Sequence, residues 1–290
     1  MDLINKTYHY SFLHTEISFL TTRLISFNDF DSSYFDSLVL DFRKASWITP
    51  FGILFIYSLA YQLSNEFPEH KIQFIFSKVN FTYLCRMHLT QKLIAFNNVS
   101  INPEPTHVIE HDRTDSLYEI KIIEFENQYD TDNKADELFE LISINTKPCD
   151  YNSIIINTAL SELFDNIYSH SGQPKAIIVA QAYPDYIRIA IGDTGIGIPN
   201  KLRSLEEYKQ LDDTALINEA IKPNVTTRHG GGGTGLTDLC DTITDSQIPG
   251  VLMIRSNLGS LWLRSGFAQA GRINFNIEGT YMGLLLNREN

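Results

Sequence analysis

Positive charge is scarce in this sequence. Its 23 lysines and arginines stand against 35 aspartates and glutamates, a formal net charge of −12. A phosphate backbone attracts the opposite sign, so nucleic acid is not expected as the main partner. Cysteine is rare as well: Cys85, Cys149 and Cys240 lie far apart and form no C-x-x-C pair. That usage fits a reducing compartment, with thiols serving as small apolar residues. The longest apolar run, "ITPFGILFIYSLAYQL", holds a Pro and a Gly and stops short of the ~18 residues a membrane span needs. The opening "MDLINKTYHYSF" lacks the shape of a signal peptide. A soluble, cytoplasmic chain is therefore expected. No repeat appears, and no low-complexity segment beyond the glycines at Gly230–Gly233.

What is present suffices for a core. With 290 residues, 43% of them hydrophobic, the chain is expected to form two α/β domains, over 1–105 and 116–290. In the first, strands at "SLVLDF" and "KIQFIF" alternate with helices. One is "PFGILFIYSLAYQLSN", which starts on Pro; the other is "NFTYLCRMHLTQKLIAF", with Asn80 as its cap. This β-α-β-α order predicts a small parallel or mixed sheet. Around Asn102–Ser116 the periodicity fades, marking the boundary. The second half reads as a strand at "LYEIKIIEF", helices near Asp132–Ile144 and Asn152–Ser169, and strands at "KAIIVAQAY" and "YIRIAIGD". A polar, Gly-rich lid, ordered only by a ligand, is expected up to Gly235, then a helix at "LTDLCDTI". Four strands close the chain: "GVLMIRS", "SLWLRS", "RINFNI" and "GTYMGLLL".

Three segments carry candidate chemistry. At 100° per residue, Glu162, Asn166 and His170 fall within roughly an 80° arc, beside the apolar stripe of Ile156, Leu160, Leu163 and Ile167. Ser161, Asp165 and Ser169 fall on the far side, where solvent is expected. The strand "YIRIAIGD" delivers Asp193 at its end, a carboxylate able to accept from an exocyclic amine. Gly195 and Gly197 then let a backbone approach a flat ligand closely. This is not a dinucleotide fingerprint: Asn200 stands where the third Gly is needed, and no helix is expected to open there. The run "GGGGTGL" (Gly230–Leu236) lacks the Lys of a phosphate loop. Glycines leading into a helix N-terminus nonetheless put N–H groups where an anion can sit. Each segment taken alone also reads as ordinary structure: an amphipathic helix, a strand-to-loop turn, a linker.

Together, "ELFDNIYSH", "DTGIGIP" and "GGGGTGL" resemble, in order and spacing, the three boxes of the GHKL ATPases. That superfamily includes gyrase, a heat-shock chaperone and histidine kinases. The likeness covers 117–290, where "EGTYMGLLL" is similar to the family's closing strand, and it is nearest to the anti-sigma-factor serine kinases. It implies ATP and Mg²⁺ as cofactors. Asn166 would hold Mg²⁺, Glu162 would act as general base, and Asp193 would bind the adenine amine. Gly195 and Gly197 would shape the adenine pocket, with Thr280 nearby. Gly231, Gly233, Thr234 and Gly235 would contact phosphates, and Arg228 would reach them. His170 would be structural.

In the first half, "LVLDFRKASWITPFGILFIYSL" and "YLCRMHLTQKL" resemble the STAS fold of anti-anti-sigma factors. Where that family carries a phosphoacceptor serine, this chain has Thr49, Pro50, Phe51 and Gly52, so phosphorylation there is not expected. The resemblances imply an ATP-binding regulatory switch that hydrolyses ATP or phosphorylates a protein serine or threonine. The alternative is a nucleotide sensor without catalysis. A histidine kinase proper fits less well, since His107 and His111 sit in the polar linker rather than on a dimerising helix. A protein partner or substrate is expected; a homodimer is left open.

Overall fold

A computed structural model of the chain describes residues 7–12, 16–17, 36–103, 117–225, 235–245 and 250–288. One helix organises them. Helix α1 (Pro50–Glu66) has 17 residues, apolar on nearly every side, and 13 of them are buried. A helix that is hydrophobic all round has to be covered all round. Thr49 caps it, its Oγ1 accepting from the Gly52 amide at 3.2 Å, and Pro50 begins it where no N–H is needed.

On one side of α1 lies a parallel sheet in the order β1 (Thr7–Ser11), β3 (Ser37–Asp41), β5 (Lys71–Ile75), β6 (Val99–Asn102). Two short strands, β2 (Glu16–Ile17) and β4 (Trp47–Ile48), pair beside it. The helical stretch after β5 is broken, into α2 (Lys78–Arg86) and α3 (Leu89–Ile94), at His88 with its φ of 57°. The cap of α2 is Ser77 rather than Asn80. Asn80 is buried, its amide donating to the Ala45 carbonyl.

On the other side of α1 is an antiparallel sheet in the order β10 (Gly250–Arg264), β11 (Phe267–Asn287), β9 (Tyr186–Gly192), β8 (Lys175–Ala182), β7 (Leu117–Glu124). Helices α4 (Gln128–Thr146), α5 (Asp150–His170) and α8 (Gly235–Asp245) cover its far face. The expected four closing strands are two long ones. A bulge at Asn257, where φ is 49°, lets pairing continue through residues that look like turn formers.

Alternation along this sheet feeds two cores. Ile178, Ile189, Ile191, Leu252 and Leu284 face α4, α5 and α8, while Ile177, Val179, Ala190, Ile277 and Tyr281 join the core of α1 and the parallel sheet. Two glycines make room for α1. A Cβ on Gly192 would stand 3.3 Å from Leu54 and 2.7 Å from the Tyr281 ring; one on Gly283 would stand 3.0 Å from Phe51. The molecule is thus a mixed α/β structure in which α1 is the shared layer between sheets.

The segment after Gly197 is more structured than its composition predicts. Helix α6 (Ile198–Leu202), a 3-10 turn at Glu206–Tyr208 and α7 (Asp213–Ala220) occupy much of it. Asp212 caps α7. Asp213, nearly buried, accepts from Arg203 and, at 2.8 Å, from the Leu258 amide of β10. That staple and the buried Leu216 and Ile217 anchor the segment to β10 and the core. A one-turn helix therefore does open at Ile198, against expectation. Among the described residues, no helix is long and apolar enough to cross a membrane.

Candidate functional site

A cleft opens between α5, the end of β9, α6 and the start of α8. Glu162, Asn166, His170, Asp193, Gly197, Gly235 and Thr280 all line it, which gathers residues far apart in sequence. Helix α5 delivers its share because Ile156, Leu160, Leu163 and Ile167 are buried, which turns the adjoining polar strip toward the opening. Asp165 departs from expectation: it also lines the cleft and accepts from Gln128 Nε2 at 3.4 Å. The walls are otherwise apolar, with Leu163, Ile191, Ile198, Leu202, Leu236 and Met282. Lys201 of α6 adds an ammonium group that the sequence pattern did not single out.

Asp193 is 3% exposed. Its Oδ1 accepts from the Gly195 amide at 2.7 Å, and its own amide donates to the Thr280 carbonyl at 2.9 Å. Burial pushes the carboxyl up to about 7, against the pull of the Gly195 and Thr280 amides. A carboxylate costs free energy to bury unless it is matched by donors, and the donor set here leaves room for another at the cleft.

Close approach explains the glycines around it. A Cβ on Gly195 would overlap the Ser171 carbonyl at the end of α5, and one on Gly279 (φ 96°) would overlap the Asp193 carbonyl. A Cβ on Gly197 (φ 81°) would overlap the Asn257 and Ser256 side chains. Ser256, fully buried, is a hub that the sequence reading missed. Its Oγ accepts from the Ile198 amide at 2.9 Å and donates to the Gly279 carbonyl at 2.8 Å, with Thr280 Oγ1 3.1 Å away. Thr280 is therefore held as part of the wall around Asp193.

Across the cleft, Glu162 reaches the first residue of α8. A Cβ on Gly235 would overlap its carboxylate, which would have to swing aside to admit one. A carboxylate at a helix N-terminus is in the favourable sense of the helix dipole. Arg228, Gly231, Gly233 and Thr234 lie outside the described residues.

No group of three or more His, Cys, Asp or Glu side chains among the described residues is arranged to hold a metal ion. Asn166 offers one carboxamide oxygen at the cleft. That fits a hard cation that takes most of its ligands from phosphates and water. No family model matches this sequence, and no curated protein matches it either.

Proposed function

We propose that the chain is a cytoplasmic ATP-binding regulatory protein, a STAS-like unit joined to a GHKL-type nucleotide domain, which turns Mg-ATP over slowly by hydrolysis or by transfer to a protein hydroxyl. The observation that carries this reading is Asp193. A nearly buried carboxylate beside an apolar cleft, one oxygen tied to Gly195, suits the exocyclic amine of adenine, a donor that recovers the burial cost. The flat ring would lie between the apolar walls, with Gly197 in the lining; Gly195 is not in the lining and is fixed instead by its approach to Ser171.

ATP bound with Mg²⁺ supplies an electrophilic terminal phosphoryl group. The residues of this chain do the rest. Asn166 would hold the metal through its side-chain oxygen. Glu162 would accept the proton of a water or hydroxyl nucleophile, and its place against Gly235 keeps it beside the first turn of α8. Lys201 would balance phosphate charge in a cleft otherwise rich in carboxylates. The amides of Gly231, Gly233, Thr234 and Gly235, with Arg228, remain the proposed phosphate contacts.

The test is direct. The purified chain is titrated with ATP and with GTP in the presence of Mg²⁺, and phosphate release and protein phosphorylation are followed. ATP binding with preference over GTP, plus slow turnover, is expected. Absence of ATP binding refutes the reading, and binding without turnover or transfer selects the non-catalytic sensor.

A further inference from the structure

The back of the candidate site is not solvent but α1. Two side chains at its C-terminal end grip the two segments that flank Asp193. Gln62 is buried. Its Oε1 accepts from the Glu278 amide at 3.2 Å, and its Nε2 donates to the Asn276 carbonyl at 3.4 Å and to Glu66 Oε1 at 2.9 Å. Glu278 immediately precedes Gly279 and Thr280, the pair packed on Asp193. The neighbouring Tyr61 donates its hydroxyl to Gln173 Oε1 at 3.2 Å. The same oxygen accepts from Thr194 Oγ1 at 3.4 Å, and Thr194 follows Asp193 in the chain. A third contact lies between them, Leu54 against Gly192. Helix α1 therefore touches the residue before Asp193, the residue after it by way of Gln173, and the strand that closes over it.

We propose that Tyr61 and Gln62, with Gln173 as relay, are positioning residues that set the Asp193 loop for nucleotide, so that the N-terminal α/β unit and ATP affinity are coupled. The proposal rests on the nucleotide reading above. Coupling of this kind is reciprocal: whatever shifts α1 changes nucleotide affinity, and bound nucleotide steadies α1 by the same factor. A binding partner of the parallel-sheet unit would then regulate the cleft without entering it.

The experiment uses the full chain. Gln62→Leu removes both bonds to the 276–278 segment, Gln173→Leu removes the shared acceptor, and Gln173→Glu restores an acceptor oxygen in the same place. ATP affinity is measured calorimetrically with Mg²⁺, and hydrogen exchange across 194–197 is measured without nucleotide. Gln62→Leu and Gln173→Leu should each weaken ATP binding by about 5- to 10-fold and speed exchange in the loop, in line with loss of one or two buried hydrogen bonds. Gln173→Glu should bind within about 2-fold of the parent, because it keeps the oxygen that accepts from Tyr61 and Thr194. Parent-like affinity in both leucine variants overturns the coupling.

If the parent binds no ATP, the exchange data still decide. Faster exchange in the leucine variants keeps the positioning role and discards the nucleotide, whereas unchanged exchange discards both. Should the leucine variants not fold, Tyr61→Phe, which loses one oxygen and keeps its ring, takes their place under the same criteria.

Discussion

The two faces of the antiparallel sheet are both covered by helices, but in different ways. On one face α1 is buried along almost its whole length and seals against Gly192 and Gly283. On the other, α5 buries its apolar stripe and leaves Glu162, Asn166 and His170 along a cleft. Each face also holds one buried charged group that desolvation drives toward neutrality. Arg255, fully buried on the α1 face, donates to the Phe275 carbonyl at 3.0 Å and lies 5.3 Å from the Phe55 ring centre, and burial pushes it down to about 9. Asp193 is pushed up to about 7. The arginine is enclosed by its own protein, whereas the aspartate borders space. Burial beside a cleft, rather than burial alone, is what makes Asp193 and not Arg255 the candidate.

If the α1 face is true core, removing α1 has the largest effect of all. A chain reduced to 117–290 would expose Ile177, Val179, Ala190, Ile277 and Tyr281. At about 1.5–3 kcal/mol per large apolar side chain, the loss is on the order of 10 kcal/mol, comparable with the whole stability of a domain. The fragment is expected to be insoluble or to lack a cooperative melt. A fragment that melts cooperatively and binds ATP would show that the face needs no cover.

On the cleft face the effects should fall on ligand and rate. Glu162→Ala is expected to slow turnover about 10²–10⁴-fold, the usual worth of a general base, and to leave ATP binding close to that of the parent. Single-turnover phosphate release against a binding isotherm separates the two, and an unchanged rate removes Glu162 from the chemistry.

Asp193→Asn follows, with effects of opposite sign on ligand and fold. Loss of a charge-assisted bond costs roughly 2–5 kcal/mol, at least about a 30-fold drop in ATP affinity. In the free protein the sign reverses. The folded carboxyl titrates near 7, above the ~3.9 of an unfolded chain, so the folded state holds the proton more tightly. Stability from this group is complete below pH ~4 and is lost as pH rises toward 7, about 4 kcal/mol by the time both states are ionised. The asparagine variant should therefore melt above the parent at pH 8, with the gap closing toward pH 4. Parent affinity for ATP should also fall between pH 8 and pH 6, more than in the variant. Thermal melts and titrations at the three pH values check both; a variant that melts lower at pH 8 contradicts the assigned burial cost.

Much of the cleft was legible because its residues come from local patterns: a helical arc for Glu162 and Asn166, a strand end for Asp193, a helix start for Gly235. The strands and most helices were legible for the same reason. What joins the halves was only half visible. "KAIIVAQA" is apolar at successive positions, as a strand covered on both faces must be, and α1 is apolar all round. That each covers the other depends on matching Leu54 to Gly192 and Phe51 to Gly283, a fit across long sequence separations. Ser256, Gln173 and Lys201 were missed because a serine in a strand, a glutamine in a turn and a lysine near a proline carry no periodic signal. The helices after Gly197 were missed because their anchor, Asp213, finds Leu258 only in three dimensions.

The smallest effect concerns the start of α1. Thr49 is 3% exposed, and its Oγ1 is occupied as the helix cap, accepting from the Gly52 amide. Pro50 follows with a fixed φ, and Phe51 is buried against Gly283. A kinase would have to pull the cap out and unseat that ring to reach the hydroxyl, so the chain should gain no phosphate at Thr49 when incubated with Mg-ATP. Thr49→Ala should cost only about 1 kcal/mol, the typical worth of an N-cap. For a chain of this size that is a drop of roughly 2–4 °C in melting temperature. Because α1 is held along both sides, the lost cap should leave ATP affinity within about 2-fold, far less than any change on the cleft face. Intact-mass spectrometry and a thermal melt settle it together. A phosphate on Thr49 would mean that the end of α1 opens in solution and that the buried face, too, is reached by the chemistry of the cleft.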